Sequence, residues 1–189
     1  DIKFEVSSHY LIKQTGEIIT LVPDLYLAWH AGRSMWKKHQ SLNKNSIGIE
    51  ITNPGHSFGY KKFPKQQILS LIKLTKFLIR KYKINKKNIL GHSDIAPDRK
   101  KDPGEKFPWK YLSKNRIGYW HSIDQKILIK NRILKINNLQ KKFFYKNLYK
   151  IGYSKKIPLN LKHRKNNYLI KITKAFQRRF RPEIVNGKI

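Results

Sequence analysis

The 189-residue chain is 39% hydrophobic and 12% aromatic, enough for one medium and one small domain with real cores. It contains no cysteine, so disulfides and thiolate metal ligands are excluded and any metal site has to be built from imidazole and carboxylate. Residues 1–113 carry 21 basic and 9 acidic side chains and residues 114–189 carry 21 and 2, a formal net charge of +31 concentrated in a cationic C-terminal part.

In chain order, Ser7 to Ile12 and Glu17 to Val22 are short β-prone runs around Gln14, Thr15 and Gly16, which predicts a β-hairpin. Ser46 to Thr52 is a third strand, with Ile47, Ile49 and Ile51 on one face and Gly48 and Glu50 on the other. From Pro64 to Tyr82 the apolar positions Ile68, Leu71, Ile72, Thr75, Leu78, Ile79 and Tyr82 follow helical spacing. Pro64 suits the first turn of that helix. Asn88 to Gly91 is then expected as a short strand leading into His92. This β-β-β-α-β order predicts an α/β or α+β core, a mixed central sheet flanked by helices.

After Leu112 the texture turns polar and basic with scattered aromatics. Helical spacing returns over Ile136 to Tyr149 and Tyr168 to Phe180, the second with Leu169, Ile172, Phe176 and Phe180 on one stripe. The expected organisation is a catalytic domain over 1–113, a linker over 114–135 and a small all-α domain over 136–189. No run approaches the 18 or more apolar residues of a membrane span. Asp1 to Glu5 is not a signal peptide, so any export signal or lipid anchor is expected upstream.

The stretch from Gly91 to Gly104, followed by Phe107, Pro108 and Trp109, is dense in titratable side chains. A loop containing Pro97, Pro103 and Gly104 can fold back to set Asp102 beside His92, as a His/carboxylate zinc site requires. The plainer reading of such a pair is a hydrogen bond behind some other site.

Four motifs decide between the two readings: Ser7 to Ile12, Ala28 to Gly32, Asn43 with Ser46 to Glu50, and the His92 to Asp102 loop. In this order they resemble the zinc-dependent N-acetylmuramoyl-L-alanine amidases, which include phage lysozyme-like amidases and are related to the peptidoglycan recognition proteins. The resemblance implies that His92 and Asp102 are zinc ligands and that Glu50 and Lys100 are the catalytic pair. It further implies that His9, Trp29, His30, Asn43 and Arg99 belong to the substrate-binding surroundings. For Trp29 core packing, for His30 a satisfied hydrogen bond, and for Arg99 an exposed surface role stand as alternatives. Zinc polarises a carbonyl and brings the pKa of water to ~7. Glu50 suits general base and acid work, and Lys100 suits stabilisation of a negative oxygen.

Two departures from the family pattern stand out. The first zinc ligand is expected as a His on a strand upstream of Asp1, so the chain as written carries two of three ligands, and a two-ligand site binds zinc weakly. His9 and His30 are the nearest histidines in sequence. Some relatives also place a catalytic Tyr directly before the motif His, where this chain has Ser8.

Leu148 to Tyr153 and Lys174 to Gly187 resemble, less closely, a three-helix peptidoglycan-binding domain that continues into a last helix beyond the equivalent of Ile189. With Arg116 to Trp120 in the connector, the layout is most similar to outer-membrane-anchored periplasmic amidases of Gram-negative bacteria. The resemblance therefore implies a monomeric envelope enzyme acting on peptidoglycan or muropeptides, rather than a cytoplasmic recycling enzyme. The alternative is a non-catalytic peptidoglycan-binding protein or degraded amidase. A specific nucleic-acid partner is disfavoured, because 33 of the 42 basic residues are Lys and base readers favour the Arg fork.

Overall fold

The structure, a computed structural model, describes residues 6–153 and 167–189. The expectations that touch residues 1–5 and 154–166 lie outside it.

The sheet is built on β1 (Tyr10–Ile12), which pairs antiparallel with β2 (Ile18–Thr20). The turn between them closes at Gly16, which adopts a φ of +88. On its other side β1 pairs in parallel with β5 (Ile49–Ile51), giving the order β2-β1-β5 and a mixed sheet as expected. Between them a small hairpin forms from β3 (Met35–Trp36) and β4 (His39–Gln40), two-residue strands too short to produce a readable alternation.

Helix α1 (Lys65–Tyr82) lays Ile68, Leu71, Ile72, Leu74 and Leu78 against the sheet, where Tyr10 and Ile12 are buried and Ile47, Ile49 and Ile51 pack as one face. Pro64 sits just outside the helix as its cap, not in its first turn. The fully buried Gln67 stitches helix to sheet, its Nε2 donating to the carbonyls of Ile12 and Thr52 at 3.0 Å each. An apolar residue there would remove the donor to the Thr52 carbonyl, at ~1–3 kcal/mol, while the Ile12 carbonyl would keep its bond from the Thr52 amide at 3.0 Å.

One expected strand does not form among the described residues. Asn88 closes a 3-10 turn over Lys86–Asn88, and Ile89 and Gly91 are extended but belong to no sheet. The backbone there is strand-like but has no pairing partner among the described residues, and a strand exists only by pairing. His92 instead opens the four-residue helix α2 (His92–Ile95).

Helix α3 (Trp109–Lys114) closes the first core with Trp109 and Leu112. Helices α4 (Gln125–Arg132), α5 (Asn138–Ile151) and α6 (Asn167–Phe180) follow. α4 falls inside the expected linker and is held by Asp124, whose side chain accepts from the amides of Lys126 and Ile127. α5 starts in a capping box of Asn137 and Gln140.

The C-terminal helices have no separate core among the described residues. Tyr145, Leu148, Tyr153, Leu169, Ile172 and Ala175 share one buried cluster with Ala31, Trp36 and Leu42 of the N-terminal half, with Leu90 and Ile95 packed against it. Trp36 meets Tyr153 edge-on at 5.5 Å. Leu148, 1% exposed, lies at the centre of this seam. Leu148→Ala is expected to cost ~2–5 kcal/mol in urea unfolding and to lower the stability of both halves in one transition. Early melting of α5 and α6 alone, followed by the sheet at its original midpoint, would contradict a shared core.

Candidate active site

The Asp102 loop folds back on His92 because Gly91 leaves room for it. A Cβ on Gly91 would lie 2.5 Å from Pro103 Cδ. The amide of Ser93 then donates to the carbonyl of Asp102 at 2.8 Å, zipping the two ends of the loop together. As a result His92 Nδ1 stands 2.9 Å from Asp102 Oδ2. The other ring nitrogen, Nε2, faces the carbonyl oxygen of Ala31 at 3.4 Å. A ligand histidine is commonly oriented in this way, one nitrogen toward the metal and the other N–H tied to a backbone carbonyl. Burial pushes the Asp102 carboxyl upward, but the hydrogen bond and charge of His92, its own backbone amide and the charge of Lys100 outweigh it and hold the carboxyl below its ordinary pKa.

The pair sits on a cleft of about 1260 Å³, also lined by Glu50, Lys100, His30 and Asn43. One wall is β5 and another is residues 88–92, while Leu71, Thr75 and Leu78 of α1 form the apolar floor. Glu50 reaches this space because the alternation of β5 commits Ile49 and Ile51 to the core and leaves Glu50 exposed.

His9 is 1% exposed, with Nδ1 accepting from the Gly48 amide and Nε2 donating to the Tyr26 carbonyl, both at 3.0 Å. His30 Nδ1 donates to the Ala28 carbonyl at 2.9 Å and Nε2 lies 3.0 Å from Ser46 Oγ. Its ring fits because residue 48 is Gly, where a Cβ would approach the imidazole to 2.3 Å. Both ring nitrogens of the buried His9 are engaged, whereas the Ser46 hydroxyl beside His30 Nε2 donates its proton to the Leu42 carbonyl at 2.6 Å. Among the described residues, no three His, Asp or Glu side chains gather to hold a metal ion. His92 and Asp102 nonetheless fit two positions of a zinc site, being the right donor types and close enough to grip one cation.

The Trp29 ring is 50% exposed, which removes core packing as its role. Asn43 accepts from the Ala31 amide at 2.7 Å, and Arg99 donates to the carbonyls of Ala31 and Arg33 at 2.5 and 3.0 Å. Both therefore shape the 31–33 turn against which His92 rests. Ser8, where some relatives have Tyr, is buried and its hydroxyl bonds the Tyr10 carbonyl at 3.1 Å.

Two groups escaped the sequence reading. Tyr60 donates to the Pro103 carbonyl at 2.6 Å and accepts from the Lys106 amide at 2.9 Å, and it stacks on His56, which pairs with Glu105 at 3.1 Å. Their only signal was aromatic and imidazole side chains in an irregular stretch. The second group, Asp94 with Tyr153 and Arg179, joins residues 85 positions apart and left no local trace.

A mixed sheet backed by helices, with imidazole and carboxylate converging on a cleft, defines an α+β protein with a His/carboxylate site. The chain belongs to the N-acetylmuramoyl-L-alanine amidase family, whose sequence model matches residues 2–105. It is 36% identical to N-acetylmuramoyl-L-alanine amidase AmiD of Escherichia coli K12, over 97% of this chain and 69% of that protein. It is 43% identical to 1,6-anhydro-N-acetylmuramyl-L-alanine amidase AmpD of the same organism, over 55% of each, so it spans about half of that relative. The structure of Escherichia coli AmiD in complex with the substrate anhydro-N-acetylmuramic acid-L-Ala-D-gamma-Glu-L-Lys superposes with a TM-score of 0.80 at 34% identity, covering 98% of this chain and 75% of that one. Pseudomonas aeruginosa AmpDh3 in complex with anhydromuramic pentapeptide gives 0.76 at 31%, covering 97% and 76%.

The environment of His30 sets a pH test. Burial, then the neighbouring His9 imidazole, lowers its pKa from 6.5 to about 4 against the opposing bond to the Ala28 carbonyl. Between those values the unfolded chain takes up a proton that the folded one refuses, so His30 contributes stability above pH 6.5 that is lost as pH falls toward 4. Ring 15N shifts are expected to stay those of neutral imidazole at pH 5; a midpoint near 6.5 would contradict this packing.

Proposed function

We propose that the intact protein hydrolyses the amide between the lactyl group of N-acetylmuramic acid, or its anhydro form, and L-alanine of the stem peptide. The observation that carries this reading is the 2.9 Å approach of His92 Nδ1 to Asp102 Oδ2 on a cleft that Glu50 and Lys100 also line. The muropeptide ligands named in the AmiD and AmpDh3 complexes support the substrate class.

In this reading His92 and Asp102 hold a zinc ion together with a third histidine from outside residues 1–189. Among the described residues β5 is an edge strand, and it bounds the same cleft as residues 89–91, a setting suited to an extended segment that brings such a ligand. Zinc, when bound, supplies Lewis-acid polarisation of the amide carbonyl and makes water a better acid. Glu50 takes the proton of the attacking water on its carboxylate and passes it to the departing nitrogen of L-alanine. The Lys100 ammonium faces the negative charge that develops on the former carbonyl oxygen. Arg99 and Asn43 keep the 31–33 turn in place so that the Ala31 carbonyl orients the His92 ring. The exposed Trp29 offers a flat apolar surface for a sugar or lactyl group.

The proposed setting is the periplasm of a Gram-negative envelope, with the protein a monomer tethered by an upstream lipid anchor. No helix among the described residues is long and apolar enough to cross a membrane.

With zinc-loaded intact protein and an anhydromuropeptide substrate, Glu50→Gln is expected to lower kcat ~10²–10⁴-fold and Lys100→Met ~10²–10³-fold, read as free stem peptide by chromatography. His92→Ala or Asp102→Ala is expected to abolish stoichiometric zinc as well as turnover. Binding to sacculi with no peptide release, unchanged by any of these substitutions, would overturn the enzyme reading in favour of a wall-binding protein.

A further inference from the structure

Helix α2 carries His92 at its first position but is only four residues long, and its buried side chains are Ser93 and Asp94. A helix this short does not hold itself in place. What fixes it is Asp94, 1% exposed. Its Oδ2 accepts from the Gly91 amide at 2.8 Å and from Arg179 Nη1 at 2.6 Å, and its Oδ1 accepts from the hydroxyl of Tyr153. Tyr153 and Arg179, 1% and 4% exposed, both come from the C-terminal helical part. Arg179 also donates from Nη2 to the carbonyls of Ile89 at 3.1 Å and Tyr119 at 3.5 Å, and its guanidinium lies over the Trp109 ring at 3.9 Å.

We propose that Tyr153 and Arg179 are positioning residues for the active site, holding α2 from behind through Asp94 so that His92 meets Asp102. The inference rests on the reading of His92 as a zinc ligand and gives the helical part a second task besides any contact with the wall. The geometry favours such a role over generic packing. The Asp94 carboxylate is desolvated, with its acceptors shared between the backbone at Gly91 and two side chains of the far half, and charge-assisted bonds of this kind are short and directional. Arg179 in addition grips Ile89, just upstream of Gly91, so the one guanidinium fixes both approaches to His92.

The test is amide hydrogen exchange, with zinc titration, on the intact protein. In Arg179→Met, exchange across residues 88–104 is expected to rise at least ~10-fold while α1 stays protected. Zinc affinity is expected to fall ~10–100-fold, the usual effect of removing a group that orients a ligand. Arg179→Lys, which keeps the charge but not the fork, is expected to restore part of each. Tyr153→Phe keeps the ring packed and serves as the milder variant should Arg179→Met not fold. Exchange that is unchanged over 88–104, or raised equally in α1, would overturn the proposal. If the intact parent protein binds no zinc but 88–104 loosens selectively, the positioning role stands and the metal reading fails.

Discussion

Everything the cleft can do depends on a loop of eleven residues, His92 to Asp102, returning to its own start. His92 and Asp102 converge because Gly91 has no side chain to keep Pro103 away and because the Ser93 amide closes on the Asp102 carbonyl. Without that closure the two donors would be exposed loop groups with no common target. With it, an imidazole and an ionised carboxylate are held at hydrogen-bonding distance, near enough to share a cation once the proton between them is displaced.

The surroundings serve the same geometry from several directions. The 31–33 turn, braced by Asn43 and Arg99, presents the Ala31 carbonyl to the far side of the His92 ring. Tyr60 holds the Pro103 carbonyl beyond Asp102. Asp94, gripped by Tyr153 and Arg179, anchors the short helix that begins at His92. Several of these contacts join distant segments, so the site is a product of the whole fold.

That explains what could be read from the sequence. The long helix over Lys65–Tyr82 and the helices starting at Asn138 and Asn167 were visible because their apolar stripes obey one local period. The hairpin of β1 and β2 announced itself through Gly16, and the face of Glu50 followed from the isoleucines beside it. The convergence of His92 with Asp102 could be anticipated because it needs only a loop that turns back. Three things were out of reach. The extended run before His92 looks like a strand by composition, but pairing is a property of a neighbour that sequence periodicity cannot supply. The roles of Arg99 and Asn43 as braces depend on which backbone groups face them. The joint core of the two halves depends on surfaces that look, residue by residue, like an ordinary helical stripe.

The central claim is that His92 and Asp102 grip one zinc ion, and anomalous diffraction at the zinc edge on crystals of the intact protein tests it most directly. The account predicts a single strong peak ~2.0–2.2 Å from both His92 Nδ1 and Asp102 Oδ2, with Nε2 still facing the Ala31 carbonyl. A peak elsewhere, or none while His92 and Asp102 remain bonded to each other, would contradict it.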